Sequence, residues 1–154
     1  HMNATNNQMQ KVIFDLGSDT WHGFSTESVW ATNLGSGVHQ LENSPFFAKG
    51  ISLRDAVMTS QVEGQIKVVG LGPKSGHSTY RILVSHGKHN PTLFAELWEP
   101  LERLGCSYEH GDFGYQLYAV DVPEKVGIEI AYAFLERGEQ KGAWDFEEGH
   151  CGHL

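Results

Sequence analysis

Ser75-Gly76-His77-Ser78-Thr79-Tyr80-Arg81-Ile82-Leu83-Val84 carries a dense polar cluster straight into an alternating apolar run. Alternation of that kind marks a β-strand with two distinct faces. Before this stretch the 154-residue chain offers only short strand-like segments, and after it helical and strand patterns take turns. The stretch therefore reads as the seam between two halves, with Thr79 to Val84 as the first strand of the second half.

Upstream, Lys11 to Leu16 is β-rich, and Gly17 to Ser25 is a polar loop around Trp21. Glu27 to Asn33 and Val38 to Glu42 flank the turn-forming Gly35-Ser36-Gly37, and Asp55 to Val62 and Gln65 to Leu71 flank Glu63-Gly64. Both are hairpin signatures. Five short strands with glycine turns and no helix predict a small antiparallel β-barrel over residues 11–76, behind an N-terminal tail at residues 1–10. His1 ahead of Met2 reads as a cloning remnant, with Met2 the expected start.

Downstream, Asn90-Pro91 suits a helix N-cap and first turn, and Leu93, Phe94, Leu97, Trp98, Leu101 and Leu104 recur at helical spacing before Gly105. Pro100 predicts a kink or a loosened last turn. Cys106 to His110 and Tyr115 to Val120 predict a hairpin around Gly111 to Gly114. Asp121-Val122-Pro123 reads as the opening of a second helix, and Ala143 to Glu147 as a last strand. The order βαββαβ predicts a ferredoxin-like sandwich over residues 77–149, with residues 150–154 as a frayed tail. The expected class is thus α+β, a small barrel-like half fused to a ferredoxin-like half.

Charge is unevenly divided. Residues 1–90 hold six acids and seven Lys/Arg, whereas residues 91–154 hold thirteen acids and four Lys/Arg. A second half at −9 disfavours nucleic acid and anionic membranes, which attract basic surfaces, and suits a basic protein partner. No apolar run is long enough to span a bilayer. Two cysteines, Cys106 and Cys151, make no disulfide framework and suit the cytoplasm, with one bond between them left open.

Glu96, Glu99 and Glu102 lie three apart, forming one stripe on the first helix. With Glu109, Asp112, Asp145, Glu147 and Glu148 they are the expected contact surface for the basic partner. The alternative is a ligand site between the halves, with Asn43, His77 and Arg81 as polar anchors and Phe46 and Phe47 as walls. Against it stands a purely architectural reading, in which His77 satisfies buried groups and Arg81 pairs with Glu42 or Asp55.

Other chemistry is poorly supported. His150, Cys151 and His153 supply too few ligands for a zinc centre, so no metal or other cofactor is expected. Cys106 and His110 sit four apart on a strand, ~13 Å from each other and beyond hydrogen-bond reach. No nucleophile elbow, zinc-protease, phosphate-loop or dinucleotide motif occurs.

Four motifs together carry a family resemblance: Glu27-Ser28-Val29-Trp30-Ala31, Leu41-Glu42-Asn43-Ser44-Pro45-Phe46-Phe47-Ala48-Lys49-Gly50-Ile51, Asp55-Ala56-Val57 and Ser75-Gly76-His77-Ser78-Thr79-Tyr80-Arg81. With Asp121-Val122-Pro123 and Trp144 to Glu148 they resemble the bacterial domain of unknown function numbered 4265, over nearly the whole chain. The resemblance implies no functional residues. By analogy with small acidic immunity proteins, the chain is expected to be a non-enzymatic module, monomeric or homodimeric, that occludes the active site of a bacterial toxin.

Overall fold

The computed structural model describes residues 9–153. Of the expected tails, residues 1–8 and Leu154 lie outside that range, while Met9 and Gln10 open the first strand.

The first sheet contains β1 (Met9–Asp15), β2 (Thr26–Gly35), β3 (Val38–Leu41), β4 (Ala56–Val62) and β5 (Gln65–Leu71). Neighbouring strands are antiparallel, and β1 closes the barrel by pairing in parallel with β5. Alternation sends Val12, Phe14, Val29, Ala31, Leu41 and Val57 inward, where Ile51 joins them as the core. Glu63 and Gly64 turn β4 into β5 with both φ angles positive (52° and 79°), as a type I′ two-residue hairpin turn requires. Polar side chains share one end of the interior. His39 is buried, with Nδ1 2.9 Å from Thr59 Oγ1 and Nε2 2.9 Å from Gln10 Oε1.

The second sheet is built from β6 (Ser78–Val84), β7 (Ser107–Asp112), β8 (Gln116–Val122) and β9 (Asp145–His150) in the order β7-β8-β6-β9, all antiparallel. α1 (Pro91–Leu104) and α2 (Ile128–Gln140) pack on one face. There Tyr80, Ile82 and Val84 meet Phe94, Leu97, Trp98 and Leu101 of α1 and Ala131 and Leu135 of α2. The other face of β6 presents Thr79, Arg81 and Leu83 towards the barrel, so this strand is enclosed on both sides. The fold is α+β, with a five-stranded barrel and a four-stranded helix-backed sheet.

Both ends of α1 follow from its sequence. Asn90 accepts the Leu93 amide at 3.1 Å, and Gly105 caps the C-terminus at φ 108°, a left-handed conformation glycine adopts freely. The helix continues through Pro100, whose ring leaves the Glu96 carbonyl without its usual donor.

The second helix does not begin at Asp121-Val122-Pro123. β8 extends to Val122, and α2 starts only at Ile128. Asp121 looks like an N-cap in sequence, but its carboxylate is held by His77 within the sheet. The last strand is likewise displaced, to Asp145–His150.

Candidate functional site

The seam is a chain of buried polar contacts. Asp55 is fully buried and accepts from the amides of Ser52 (2.9 Å) and Ser75 (2.7 Å) and from the Ser75 hydroxyl, with Lys74 Nζ 3.5 Å away. Ser52 Oγ lies 2.6 Å from Thr79 Oγ1 and 2.8 Å from His150 Nδ1. Desolvation, then the Lys74 charge, hold the His150 pKa below its ordinary value.

His77 donates from Nδ1 to Asp121 at 2.8 Å. Burial raises the Asp121 pKa, and the histidine bond opposes that rise. Beside this pair, Ser78 Oγ is 2.6 Å from His153 Nδ1 and accepts the amides of Gly152 and His153. His153 Nε2 donates to the Pro123 carbonyl at 2.9 Å. The expected frayed tail is therefore corrected through His153: His150 ends β9, and His153 is pinned by Ser78 and Pro123. A Ser–His contact is the geometry of a nucleophile and its base, but Ser78 is fully buried and its oxygen already has three partners. The contact is a clasp.

Arg81 is 2% exposed. Its Nε donates to the Phe46 carbonyl and Nη2 to the Ala48 carbonyl at 2.8 Å, while Nη1 lies 3.5 Å from Glu147. Neither acid suggested by sequence is its partner. Glu42 pairs with Arg54, and Asp55 with Lys74. Desolvation lowers the Arg81 pKa, opposed by Glu147 and Glu27. Asn43 donates to Glu109 at 3.0 Å.

Asn43, His77 and Arg81 thus direct their polar groups to three different partners, and the structure does not bring them together as anchors of one ligand. Phe46 and Phe47 enter an aromatic cluster with His22, Phe24 and Phe113, in which Phe47 and Phe113 centroids are 5.1 Å apart. Tyr115 adjoins it, and among the described residues its hydroxyl is the one buried side-chain polar atom with no partner.

The acidic residues divide between faces. Pairing sets Glu109, Ala119, Arg81 and Glu147 in one row across the sheet, on the barrel side. Asp145 pairs with Leu83 and shares that side. Glu148 pairs with Tyr80 on the helix side and, after burial itself, helps push the tyrosine pKa up to about 12. Asp112 ends β7 and accepts the Gly114 amide, which holds its pKa down. The eight expected residues do not form one patch.

Glu96, Glu99 and Glu102 do share the outer surface of α1, all exposed. The sequence reading missed their neighbours in the same layer. On α2, Glu129 and Glu136 are exposed too, while Glu139, also exposed, accepts the Phe146 amide of β9 at 3.3 Å; Arg103 and Arg137 are the cations of the two helices, and Lys141 follows the end of α2. Glu99 is bonded to Arg103 one turn on. Glu99 and Glu102 also rim a groove of about 470 Å³ floored by Phe94, Trp98, Tyr108 and Tyr118. Tyr108 belongs to β7, an outer strand of the sheet, and is 39% exposed. The α2 acids were within reach of sequence reading: with its start set at Ile128, their place on the outer face follows from helical period.

Among the described residues no group of three or more His, Cys, Asp or Glu is placed to hold a metal ion, and no helix is long and apolar enough to cross a membrane. Cys106 is buried and Cys151 exposed, both as free thiols.

The family described as Domain of unknown function (DUF4265) matches residues 27–146. A solved structure described as a novel crystal structure of a hypothetical protein from Neisseria gonorrhoeae superposes with a TM-score of 0.74 at 19% identity, over 96% of this chain and 97% of that one. At that identity the likeness concerns the fold alone. No curated protein matches.

Proposed function

The chain belongs to the DUF4265 family, and we propose that it is a non-enzymatic protein-binding module that docks a basic partner on its helix layer. The observation that carries this reading is the exposure of Glu96, Glu99, Glu102, Glu129 and Glu136 on α1 and α2, against Arg103 and Arg137 on the same helices, beside an aromatic groove. Carboxylates on one face speed the approach of a cationic surface, and the half-exposed Tyr108 ring at the groove, over the buried Phe94, Trp98 and Tyr118, supplies an apolar contact. Like-charged glutamates along one helix stripe lower helix stability by a few tenths of a kcal/mol per pair, a cost that a binding surface would justify.

The partner we favour is a bacterial toxin whose active site is occluded on docking, with the module acting in the cytoplasm as a monomer or homodimer. We take the barrel at residues 11–76 and a ferredoxin-like unit at residues 77–149 as its two building blocks; the strand order β7-β8-β6-β9 with both helices on one face supports the second assignment. A ligand site at Asn43, His77 and Arg81 has less in its favour, because each is engaged inside the fold.

Crosslinking the full chain in its source cells, followed by binding measurements on the purified pair, tests the proposal. The captured protein should contact Glu99 or Glu102 through lysine or arginine, and should bind at least about tenfold more weakly to an E99K/E102K variant. Affinity unchanged by both charge reversal and added salt would overturn the surface. Failure of the chain to relieve toxicity of that partner would overturn the immunity role.

A further inference from the structure

A second binding feature lies on the opposite side of the second sheet and does not depend on the helix-layer reading. Trp21 sits in the loop between β1 and β2 and is 57% exposed. The loop is tied down by Leu16 N–H to Ser25 O (2.8 Å), Thr20 Oγ1 to Phe24 O (3.2 Å) and Phe24 N–H to His22 Nδ1 (3.0 Å). The indole itself rests against Phe47 at 6.2 Å and Tyr115 at 5.8 Å between ring centroids. A large apolar ring fixed in place yet left open to solvent has the character of a contact anchor.

Trp21 forms a wall shared by two hollows. One, of about 280 Å³, runs between the indole and the barrel-side face of the sheet, where Leu83 and Leu117 make an apolar floor and Asp145 and Glu147 stand at the margin. The other, of about 390 Å³, lies across the ring and includes Asp15, Asp19 and Lys49. The pair together is lined by four carboxylates and two cations. Of those cations Arg81 already donates to two carbonyls and faces Glu147. Asp145 has no such partner among the described residues.

We propose that the hollow beneath Trp21 binds the side chain of an arginine presented by a peptide or protein. The indole offers a π face to a cation, and a planar guanidinium can stack on it while directing N–H donors to the carboxylate of Asp145. Leu83 and Leu117 suit the aliphatic stem. An anionic group would meet Asp145 and Glu147 with Arg81 already engaged. A neutral apolar group would leave Asp145 desolvated and unpaired, which is unfavourable.

Titrating isotopically labelled full-length chain with acetyl-Gly-Arg-Gly-amide, and following the Trp21 indole N–H by NMR, tests this. The indole and the residue-145 backbone amide should shift together, and the affinity, read in the variants from that amide, should fall at least about fivefold with Asp145→Asn and beyond detection with Trp21→Leu. Both positions are exposed, and an unchanged Trp144 indole signal reports that each variant remains folded. The peptide with citrulline, which keeps the shape and loses the charge, should not bind. Equal binding of the citrulline peptide, or no shift with the arginine peptide, would overturn the site. Tighter binding of free arginine than of the capped peptide would overturn a polypeptide as its occupant.

Discussion

Glu27 and Arg81 hold the Phe46–Ala48 segment from opposite directions, the first by its amides and the second by two of its carbonyls. The Glu27 carboxylate accepts the amides of Phe46 (2.6 Å), Phe47 (3.0 Å) and Ala48 (2.9 Å), while the Arg81 guanidinium donates to the carbonyls of Phe46 and Ala48. A segment with no strand partner thereby has its backbone groups satisfied by two side chains, one from each sheet. Removing either leaves buried peptide groups without partners. Arg81→Met should destabilise the protein by about 3–5 kcal/mol and Glu27→Gln by about 1–3 kcal/mol, read from urea unfolding midpoints. A loss under about 0.5 kcal/mol for Arg81→Met would show that the clamp contributes nothing.

Acidification should weaken the fold through its histidines. His39 and His150 are held below the ordinary value of 6.5, chiefly by desolvation. The unfolded chain therefore binds protons that the native state refuses, so their contribution is complete above pH 6.5 and declines as the pH falls below it. Melting temperature should drop between pH 7 and pH 5, and His150→Asn should flatten that drop. A profile identical in the variant would remove His150 from the account. Asp121 acts in the opposite sense and lower down: its raised pKa relieves the cost of a buried charge as the pH falls towards 3.8.

The C-terminal clasp depends on one oxygen. Ser78→Ala deletes the acceptor for Gly152 and His153 and the partner of the His153 ring. We expect about 1–3 kcal/mol of destabilisation and faster amide exchange at Gly152 and His153, with protection at Val29 and Ala31 unchanged. Unaltered exchange at Gly152 would show that the tail is held by other contacts.

The two thiols should react very differently. Burial, reinforced by Asp121, pushes the Cys106 thiol up to about 12, whereas Cys151 is exposed. One equivalent of an aromatic disulfide reagent should react at once in the native state and the second only on unfolding. Two rapid equivalents would contradict the buried placement of Cys106.

Much of this architecture is written locally. Alternation through Val12, Phe14, Val29, Ala31 and Leu41 marks the barrel strands, and Asn90 with Gly105 brackets α1 because cap chemistry is read within four residues. Contacts distant in sequence leave no such trace. Glu27 looks like any polar strand residue, since the amides it binds lie about twenty positions on. His150 and His153 have the composition of a frayed end, yet their hydroxyl partners are 98 and 75 residues earlier. Asp121-Val122-Pro123 misleads for the same reason: its local chemistry favours a helix start, and backbone pairing with Ser78, Thr79 and Ser107, together with the His77 ring, holds it at the end of a strand. The charge excess of the second half was plain in composition, but its division between two faces follows from strand pairing, with Glu147 beside Arg81 and Glu148 beside Tyr80.

Because β6 joins β9 through Thr79 and His150, synthesis leaves one margin of that strand bare for about seventy further residues. Ribosomal elongation at ~5–20 residues per second makes this an interval of seconds in which a strand carrying Tyr80, Ile82, Leu83 and Val84 awaits its neighbour. Released chains truncated before Asp145 should therefore be the species that chaperones retain, whereas the released full-length chain should escape them.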